Sequence, residues 1–423
     1  MKKILSLAAA FGAMFYLSSC GDDDNGGVTP NPVADTVLTG YIKSDMTLTN
    51  DKIWVIDGRV FVTNGAKLTI EEGTIIKGKE GKGSAASALT IARDGLIDAE
   101  GTAENPIIFT AMTDNIKVGQ KRGTNLEVTD NQQWGGVVIL GSAPISPSAG
   151  TSAQIEGVSA SEPLGQYGGD KPDDNQGVFK YVSIRHGGTT IDAAKGNDIN
   201  GLTLGGVGSG TQISHVEIFA NFDDGIEFFG GTVNVSDVLI YGVGDDALDV
   251  DQAYAGTIDN FMIYTASSTD SDEGLEIDGP EGPENSEGKF TIKNGTITSV
   301  DGGGSAADFK SEPQGTVSNV KWEGFDGGAT LQIRASFNAD DNCAAETDAY
   351  TNLIDGVLVF NNVKFDAFKV YDEDGKDENP DECDLPIDYQ ANAEDMATSS
   401  EATGATDATA FNSWTISSIL DLL

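Results

Sequence analysis

Residues 213–250 read ISHVEIFANFDDGIEFFGGTVNVSDVLIYGVGDDALDV and contain one pattern twice, at an offset of 22 positions. In each copy, three aliphatic residues at strand spacing precede an acidic turn, DDG at 223–225 and DDA at 245–247, and a second alternating strand follows. A repeat with a period of about 20 to 50 residues is typical of a solenoid, in which no single repeat can bury its apolar face alone. Alternation with a period of two indicates β-strands with one face inside and one outside.

The same pattern extends through much of the chain and predicts the fold class. Downstream copies begin at Ile258, Ile292 and Val317. The repeats are too long for a hexapeptide β-helix, and they contain no helical stretch of the kind that a leucine-rich repeat or a βαβ sheet needs. We therefore predict an all-β chain: a single-stranded, right-handed parallel β-helix with three short strands per coil. Its open ends require caps, which we expect around Trp54 and in residues 411–423.

Residues 1–20 have the layout of a lipoprotein signal peptide. Two lysines precede an apolar run, and small residues lead to Cys20. The run is too short to span a bilayer, so we expect acylation of Cys20 to be the only membrane attachment; the alternative is an ordinary cleaved signal. Residues 21–36, acidic and then rich in Gly, Pro and Asn, predict a flexible tether, and residues 37–423 the β-helix domain.

Two cysteines, Cys343 and Cys383, remain after the signal peptide. An even number of cysteines in an exported chain predicts a disulfide. This bond would close an acidic insertion around residues 343–383 of the β-helix domain.

The charge balance excludes one class of partner. The formal net charge is −42, and only two histidines are present. Such a chain repels nucleic acid. Two histidines are too few for a His-rich zinc site and give little support to a His-paired nucleophile.

Stacking of the repeats brings acidic side chains together on one face. The outward position of the strand after each acidic turn is occupied in four successive coils by Glu227, Asp249, Glu276 and Asp308. At a strand spacing of ~4.8 Å, like charges repel by about 3.5 kcal/mol at an effective dielectric of 20. This column predicts a bound cation, and Ca²⁺ is the best candidate because it prefers carboxylate and carbonyl oxygens. The flanking ligands would be Asp251 and Asp278.

Two other interpretations of the acidic residues stay open. In the first, the column faces solvent and tolerates the repulsion. The paired acids in the preceding turns are ordinary turn residues, and turn formation is the role that we assign to them.

Two cations follow the acidic column in the next coils. Lys310 and Arg334, beside a divalent ion, would be equipped to abstract a proton next to a uronic-acid carboxylate, as in calcium-dependent polysaccharide lyases. The alternative is that both side chains form ion pairs with neighbouring acids.

An outward aromatic ladder on the first strand of each coil comprises Phe219, Tyr241 and Tyr264, and Arg185 precedes it. Stacked rings on a sheet can bind sugar rings or an apolar partner. The competing interpretation is that a loop or the C-terminal segment covers this strip.

Three segments resemble a family of β-helix lipoproteins from Bacteroidota: GTAENPIIFTA at 101–111, WGGVVILG at 134–141 and ANFDDGIEFFGG at 220–231. The acidic run after Cys20 is similar to the surface-export signal of such lipoproteins. The resemblance implies a pectin-lyase-like fold and a lipid-anchored position on the outer membrane, exposed at the cell surface. It implies no catalytic residues, because the family is mostly without assigned activity.

These observations together predict a cell-surface lipoprotein with a cation-stabilised β-helix that binds an extracellular polysaccharide or docks on an outer-membrane protein. A calcium-dependent lyase acting on uronic-acid polymers is one alternative. A structural component of a surface complex is the other.

Overall fold

The computed structural model describes residues 36–191, 198–338, 343–372, 383 and 385–423. The predicted signal peptide, Cys20 and nearly all of the predicted tether lie outside the described residues, as does most of the acidic part of the insertion. Within the described part of the chain, no helix has the length and apolar character needed to cross a membrane.

Nearly all regular structure consists of short strands. In chain order they are β1 (Val37–Ile42), β2 (Met46–Leu48), β3 (Ile53–Val62), β4 (Lys67–Ile70), β5 (Ile75–Gly78), β6 (Ala88–Ile91), β7 (Leu96–Glu100), β8 (Ile107–Ala111), β9 (Val137–Leu140), β10 (Ala153–Gln154), β11 (Gln166–Tyr167), β12 (Gly177–Arg185), β13 (Leu202–Gly205), β14 (Gln212–Phe219), β15 (Ile226–Phe229), β16 (Asn234–Tyr241), β17 (Leu248–Asp251), β18 (Thr257–Thr265), β19 (Leu275–Ile277), β20 (Phe290–Ser299), β21 (Ala307–Phe309), β22 (Gly315–Glu323), β23 (Thr330–Ala335), β24 (Phe337–Asn338), β25 (Ala344–Ala345), β26 (Leu358–Asn361) and β27 (Ala367–Asp372). The helices are α1 (Ala349–Ile354), α2 (Tyr389–Met396) and α3 (Ile416–Ile419).

The strands stack as a parallel β-helix, which confirms the predicted fold class. From β12 to β21, each strand pairs in parallel with the strand two positions later, so that one coil contains one long and one short strand. The last coil adds β26 and β27 to β22 and β23. The long strands bend at a residue with positive φ, such as His215, Asp237, Asn260 or Asn294. Because the bend divides each long strand in two, each coil has three straight segments.

The inward side chains form one continuous apolar core along the coils. Val216, Val238 and Phe261 stack in register in successive coils and are fully buried. The next residue in this column is Gly295, and a Cβ there would lie only 1.9 Å from the Phe261 ring. The column accepts the large Phe261 ring because the following coil has no side chain at this position.

The predicted caps are only partly correct. Trp54 lies in the core of the first coils, and its indole Nε1 donates to the Thr49 carbonyl. At the other end, helices α1 and α2 pack against β23, β26 and β27. The prediction that residues 411–423 cap the end is wrong, because this segment lies against the aromatic ladder on the side of the β-helix.

The predicted disulfide is present. Cys343 and Cys383 are bonded across 40 positions, with a Cα–Cα distance of 5.5 Å. The bond links the segment before α1 to the segment before α2, and so connects the two helices that cover the last coils.

Candidate cation site

The acidic column aligns as predicted from the repeat. Glu227 is opposite Asp249, Asp249 is opposite Glu276, and Glu276 is opposite Asp308 on adjacent parallel strands. All four therefore project from the same face, formed by the short strands, which we call the acidic face.

The acidic turns also contribute to this face. Four groups of three carboxylates have ligand oxygens within 4.8 Å of one another. They are Asp223, Asp224 and Asp245; Asp224, Glu227 and Asp249; Asp246, Glu273 and Glu276; and Asp249, Glu276 and Asp278. A metal-binding role for the turn residues, Glu273 among them, was not predicted from the sequence, which favoured turn formation alone. These acids recur at the same place in successive repeats, and this recurrence could have identified them as candidate metal ligands.

Only four of the six predicted metal ligands belong to these carboxylate groups. Glu227, Asp249, Glu276 and Asp278 do, whereas Asp251 and Asp308 belong to none of them. Asp308 accepts hydrogen bonds of 2.8 and 2.9 Å from the Tyr371 hydroxyl. The metal prediction therefore applies best to the coils between β15 and β19.

Burial of the carboxylates strongly disfavours their charged form. Burial first, and neighbouring acids second, raise the pKa of Asp224, Glu227, Asp246 and Asp249 well above the ordinary range. The same causes, in the same order, raise the pKa of Glu273 to about 8. Without a cation, the acidic face would hold much of its charge only at a high cost in free energy.

Side chains from distant loops complete the site. The Asn200 side-chain amide donates to Glu227 and, at 3.3 Å, to Glu156. Burial, with the charge of Asp198 also contributing, raises the pKa of Glu156 to about 7. The repeat pattern could have revealed Asn200, because Leu202 pairs with Ile226 and Asn200 therefore takes the position of Asp224 in the preceding coil. Glu156 lies in an insertion outside the repeat.

The donor set fits a hard cation. Asp249 Oδ1 and Asn200 Oδ1 are buried, and neither has a hydrogen-bond donor among the described residues. Buried oxygen atoms usually have a partner, and Ca²⁺ takes six to eight oxygen ligands from carboxylates, amide carbonyls and water. The carboxylates of the acidic face and the Asn200 amide would hold such an ion.

Lys310 and Arg334 form the ion pairs that were the alternative to catalysis. Lys310 Nζ contacts Glu276, while Arg334 Nε donates to the buried Asp348 at 2.8 Å. Burial lowers the pKa of Lys310, but the charge and hydrogen bond of Glu276 outweigh this effect and raise it above the ordinary value. A lysine held in its protonated form is a poor base for proton abstraction.

The aromatic ladder is not available for binding, which corrects the predicted sugar-binding surface. Phe219, Tyr241 and Tyr264 are aligned, with ring centroids 5.8 and 5.4 Å apart, but at most 9% of each side chain is exposed. Arg185 is fully buried. The chain covers this apolar strip with its own C-terminal segment, through side chains such as Phe411.

The protein is thus a parallel β-helix whose short strands carry an acidic face. A family model described as a pectate-lyase-like β-helix domain matches residues 40–418, and the chain belongs to this family. No curated protein and no solved structure matches the chain. The pectin-lyase-like fold implied by the sequence resemblance is therefore confirmed, whereas the bacterial lineage and the lipid anchor stay predictions.

Proposed function

We propose that this protein binds divalent cations, Ca²⁺ foremost, along its acidic face and uses the loaded face to bind an extracellular polysaccharide. The observation that carries the proposal is the set of overlapping carboxylate groups, in which Asp224, Asp249 and Glu276 are each shared by two groups. Shared ligands permit several ions to be bound in a row, one coil apart.

The cation explains why so many acids are retained at one place. Like charges directly opposite one another on adjacent strands destabilise a sheet. A bound cation converts this repulsion into attraction. It is also the partner that Asp249 Oδ1 and Asn200 Oδ1 lack among the described residues. The same charge outside a cation site would serve only solubility.

The position of the acidic face supports a polymeric ligand. Asp245 is exposed, and Asp249, Glu276 and Asp278 are partly exposed. An ion held there can keep coordination positions open for the hydroxyl or carboxylate oxygens of a sugar, because Ca²⁺ accepts flexible geometry and several ligands. A ligand that bridges ions in successive coils has repeating oxygen donors, as a polysaccharide does.

The predicted cell-surface location is part of this proposal. A disulfide is typical of exported proteins, and Cys343–Cys383 is such a bond. Acylation at Cys20 would keep the protein on the outer membrane, where it meets extracellular polymers. An outer-membrane protein is the alternative partner for the same face.

The test is calorimetric titration of the mature protein with Ca²⁺, followed by titration with uronic-acid and neutral polysaccharides in Ca²⁺ or EDTA. We expect Ca²⁺ binding that Asp249→Asn with Glu276→Gln weakens by at least about tenfold, since hydrogen bonds and ligands involving charged groups contribute about 1.5–3 kcal/mol each. Asp326→Asn, an exposed acid in a turn, is the control and should bind normally.

Three outcomes separate the candidate functions. Calcium-dependent glycan binding without product formation supports the proposal. Ultraviolet absorbance from unsaturated products, lost in Lys310→Ala, would establish the lyase instead. Absence of both Ca²⁺ and glycan binding would contradict the proposal and favour a structural component.

A further inference from the structure

A cavity lies on the same face as the acidic column, at the N-terminal end of the β-helix. The outward position of Glu227 continues backwards through Thr203, Val138 and Thr90 to Phe61 on β3, and then to Tyr41 on β1. A cavity of about 570 Å³ opens beside Tyr41 and Phe61. Cavities of about 300–1,000 Å³ accommodate small ligands.

Residues 141–176, between β9 and β12, form a lobe beside the coils. This lobe forms the cavity wall that faces Tyr41 and Phe61. Val158, Ser159 and Glu162 line the cavity, and Val158 belongs to an apolar cluster with Phe61 and Tyr167. Tyr167 packs against Phe229, at the edge of the acidic face. The lobe therefore lies between the cavity and the acidic face, and makes them separate sites on one side of the molecule.

Arg59 gives the cavity its chemical character. It lines the cavity, and among the described residues no carboxylate lies within ion-pair distance of its guanidinium. Its Nη1 is buried and has no hydrogen-bond partner there. Burial lowers the pKa of Arg59 to about 10. In a chain of net charge −42, a largely buried arginine without an acidic partner in the described part of the chain is suited to bind an anionic ligand.

Tyr41 and Phe61, on the same wall as Arg59, give the cavity an aromatic surface, and Lys43 Nζ lies 5.0 Å from the centroid of the Tyr41 ring. Tyr41 is 51% exposed and stacks on Phe61 with ring centroids 5.8 Å apart. The Tyr41 hydroxyl donates to Glu162 Oε2 at 2.7 Å, which holds the ring in place. An exposed aromatic face binds the apolar face of a sugar ring, and the Glu162 carboxylate and Ser159 hydroxyl can accept hydrogen bonds from sugar hydroxyls.

We propose that this cavity binds a carboxylate-bearing sugar unit, with its carboxylate on Arg59 and its ring on Tyr41. A guanidinium pairs with a carboxylate through two parallel hydrogen bonds, which a neutral sugar cannot form. The inference deepens the proposed function by naming the class of sugar, and it rests on that function only for the polymeric nature of the ligand. The cavity needs no cation.

The experiment is titration of the mature protein in EDTA with a trisaccharide of galacturonic acid and with its methyl ester. We expect the acid to bind and the ester to bind at least about tenfold more weakly, because the ester cannot form the paired charge-assisted hydrogen bonds with the Arg59 guanidinium. Arg59→Gln and Tyr41→Ala should each weaken binding of the acid by about tenfold or more. Arg122→Gln removes the same charge outside the cavity and should change nothing.

The variants also separate this site from the acidic face. Asp249→Asn with Glu276→Gln should leave binding of the trisaccharide in EDTA unchanged, whatever it does to Ca²⁺ binding. Unfolding midpoints of Arg59→Gln and Tyr41→Ala close to that of the wild type show that the fold is intact. Equal binding of acid and ester, unchanged binding in Arg59→Gln, or no binding of the acid to the wild type would each overturn the proposal.

Discussion

The carboxylate of Asp249 belongs to two of the four acidic groups, and its Oδ1 is buried with no hydrogen-bond partner among the described residues. It has Glu227 on one side and Glu276 on the other at strand spacing. Asp249 therefore has acidic neighbours in both adjacent coils.

Replacement of this residue should have opposite effects with and without Ca²⁺. In EDTA at pH 8, Asp249→Asn should raise the free energy of unfolding by up to about 3 kcal/mol. It removes a carboxyl that the folded state must either keep protonated, with a raised pKa, or hold charged ~4.8 Å from other acids. In Ca²⁺ it should lower stability relative to the wild type, since a ligand is lost. Thermal unfolding in both buffers measures the difference, and a variant less stable than the wild type in both would contradict the cation site.

The pH dependence of the metal-free protein follows from the same residues. Asp223 and Glu273 have their pKa raised to about 8, mainly by burial, whereas unfolded Asp and Glu titrate near 4. The folded state therefore binds more protons than the unfolded state between pH of about 4 and 8, and its stability falls as pH rises through this window. Unfolding midpoints in EDTA across this range check the sign.

Calcium should reverse this trend. Protons and Ca²⁺ compete for the same carboxylates, so the stabilisation by Ca²⁺ should grow as pH rises from about 5 to 8. A stabilisation by Ca²⁺ that does not depend on pH would place the ion away from the acidic face.

At the scale of elements, the C-terminal segment is a strap along the bends of the long strands. The Thr403 amide donates to Asn319 Oδ1 at 2.8 Å, and the Asp407 amide donates to Asn260 Oδ1 at 2.9 Å. The first turn of α3 then reaches Glu217, two coils earlier than Asn260. The strap thus contacts several successive coils and buries the aromatic ladder beneath it.

Glu217 anchors the end of this strap. Its side chain is fully buried, accepts hydrogen bonds from the Ile416 and Ser417 amides at 2.9 and 3.0 Å, and lies 3.8 Å from Arg185 Nη2. Glu217→Gln should cost about 3–5 kcal/mol, because it leaves a buried arginine without its charge partner. Chemical denaturation measures this cost.

The matched control is Glu323→Gln. Glu323 pairs with Lys321 with 44% of its side chain exposed, and exposed pairs contribute at most about 1 kcal/mol. Equal effects of the two substitutions would show that the strap is not held by Glu217. Loss of the strap should also expose the ladder and increase binding of a hydrophobic dye.

At the scale of the whole molecule, the disulfide restricts the unfolded chain around the last coils. Closure of a loop of 40 positions stabilises the folded state by about 4 kcal/mol in the chain-entropy description. The Cys343→Ser/Cys383→Ser double variant should therefore unfold at lower denaturant concentration, with α1 and α2 losing hydrogen-exchange protection first. Uniform loss of protection along all coils would contradict a role confined to this end.

Much of the acidic face could be predicted from the sequence because a stacked repeat turns spacing along the chain into alignment in space. Glu227, Asp249 and Glu276 recur at one position of the repeat, and parallel pairing places them opposite one another. The acidic turns carried the same signal, but a turn role was sufficient to explain them locally. Asn200 takes the position of Asp224 in the preceding coil, but as an amide it did not continue the acidic pattern, and Glu156 lies outside the repeat.

For the aromatic ladder, the sequence left two interpretations open, an exposed binding surface and coverage by a loop or the C-terminal segment, and the repeat did not decide between them. Phe219, Tyr241 and Tyr264 align as the repeat requires, yet alignment does not determine what covers them. The covering segment lies more than 100 positions away in the chain, outside the repeat, and the prediction that residues 411–423 cap the end was wrong for the same reason. The cavity beside Arg59 likewise depends on a non-repeating lobe.

The sequence alone determined the parallel β-helix, the register of its coils, the acidic column and the pairing of two cysteines. Each of these follows from local periodicity or from composition, which a linear chain carries directly. Only the tertiary structure decided which outward faces stay open, which cations are paired and which carboxylates are buried. These properties depend on where the insertions and the C-terminal strap pack. Contacts between such distant segments produce no periodic pattern in the sequence.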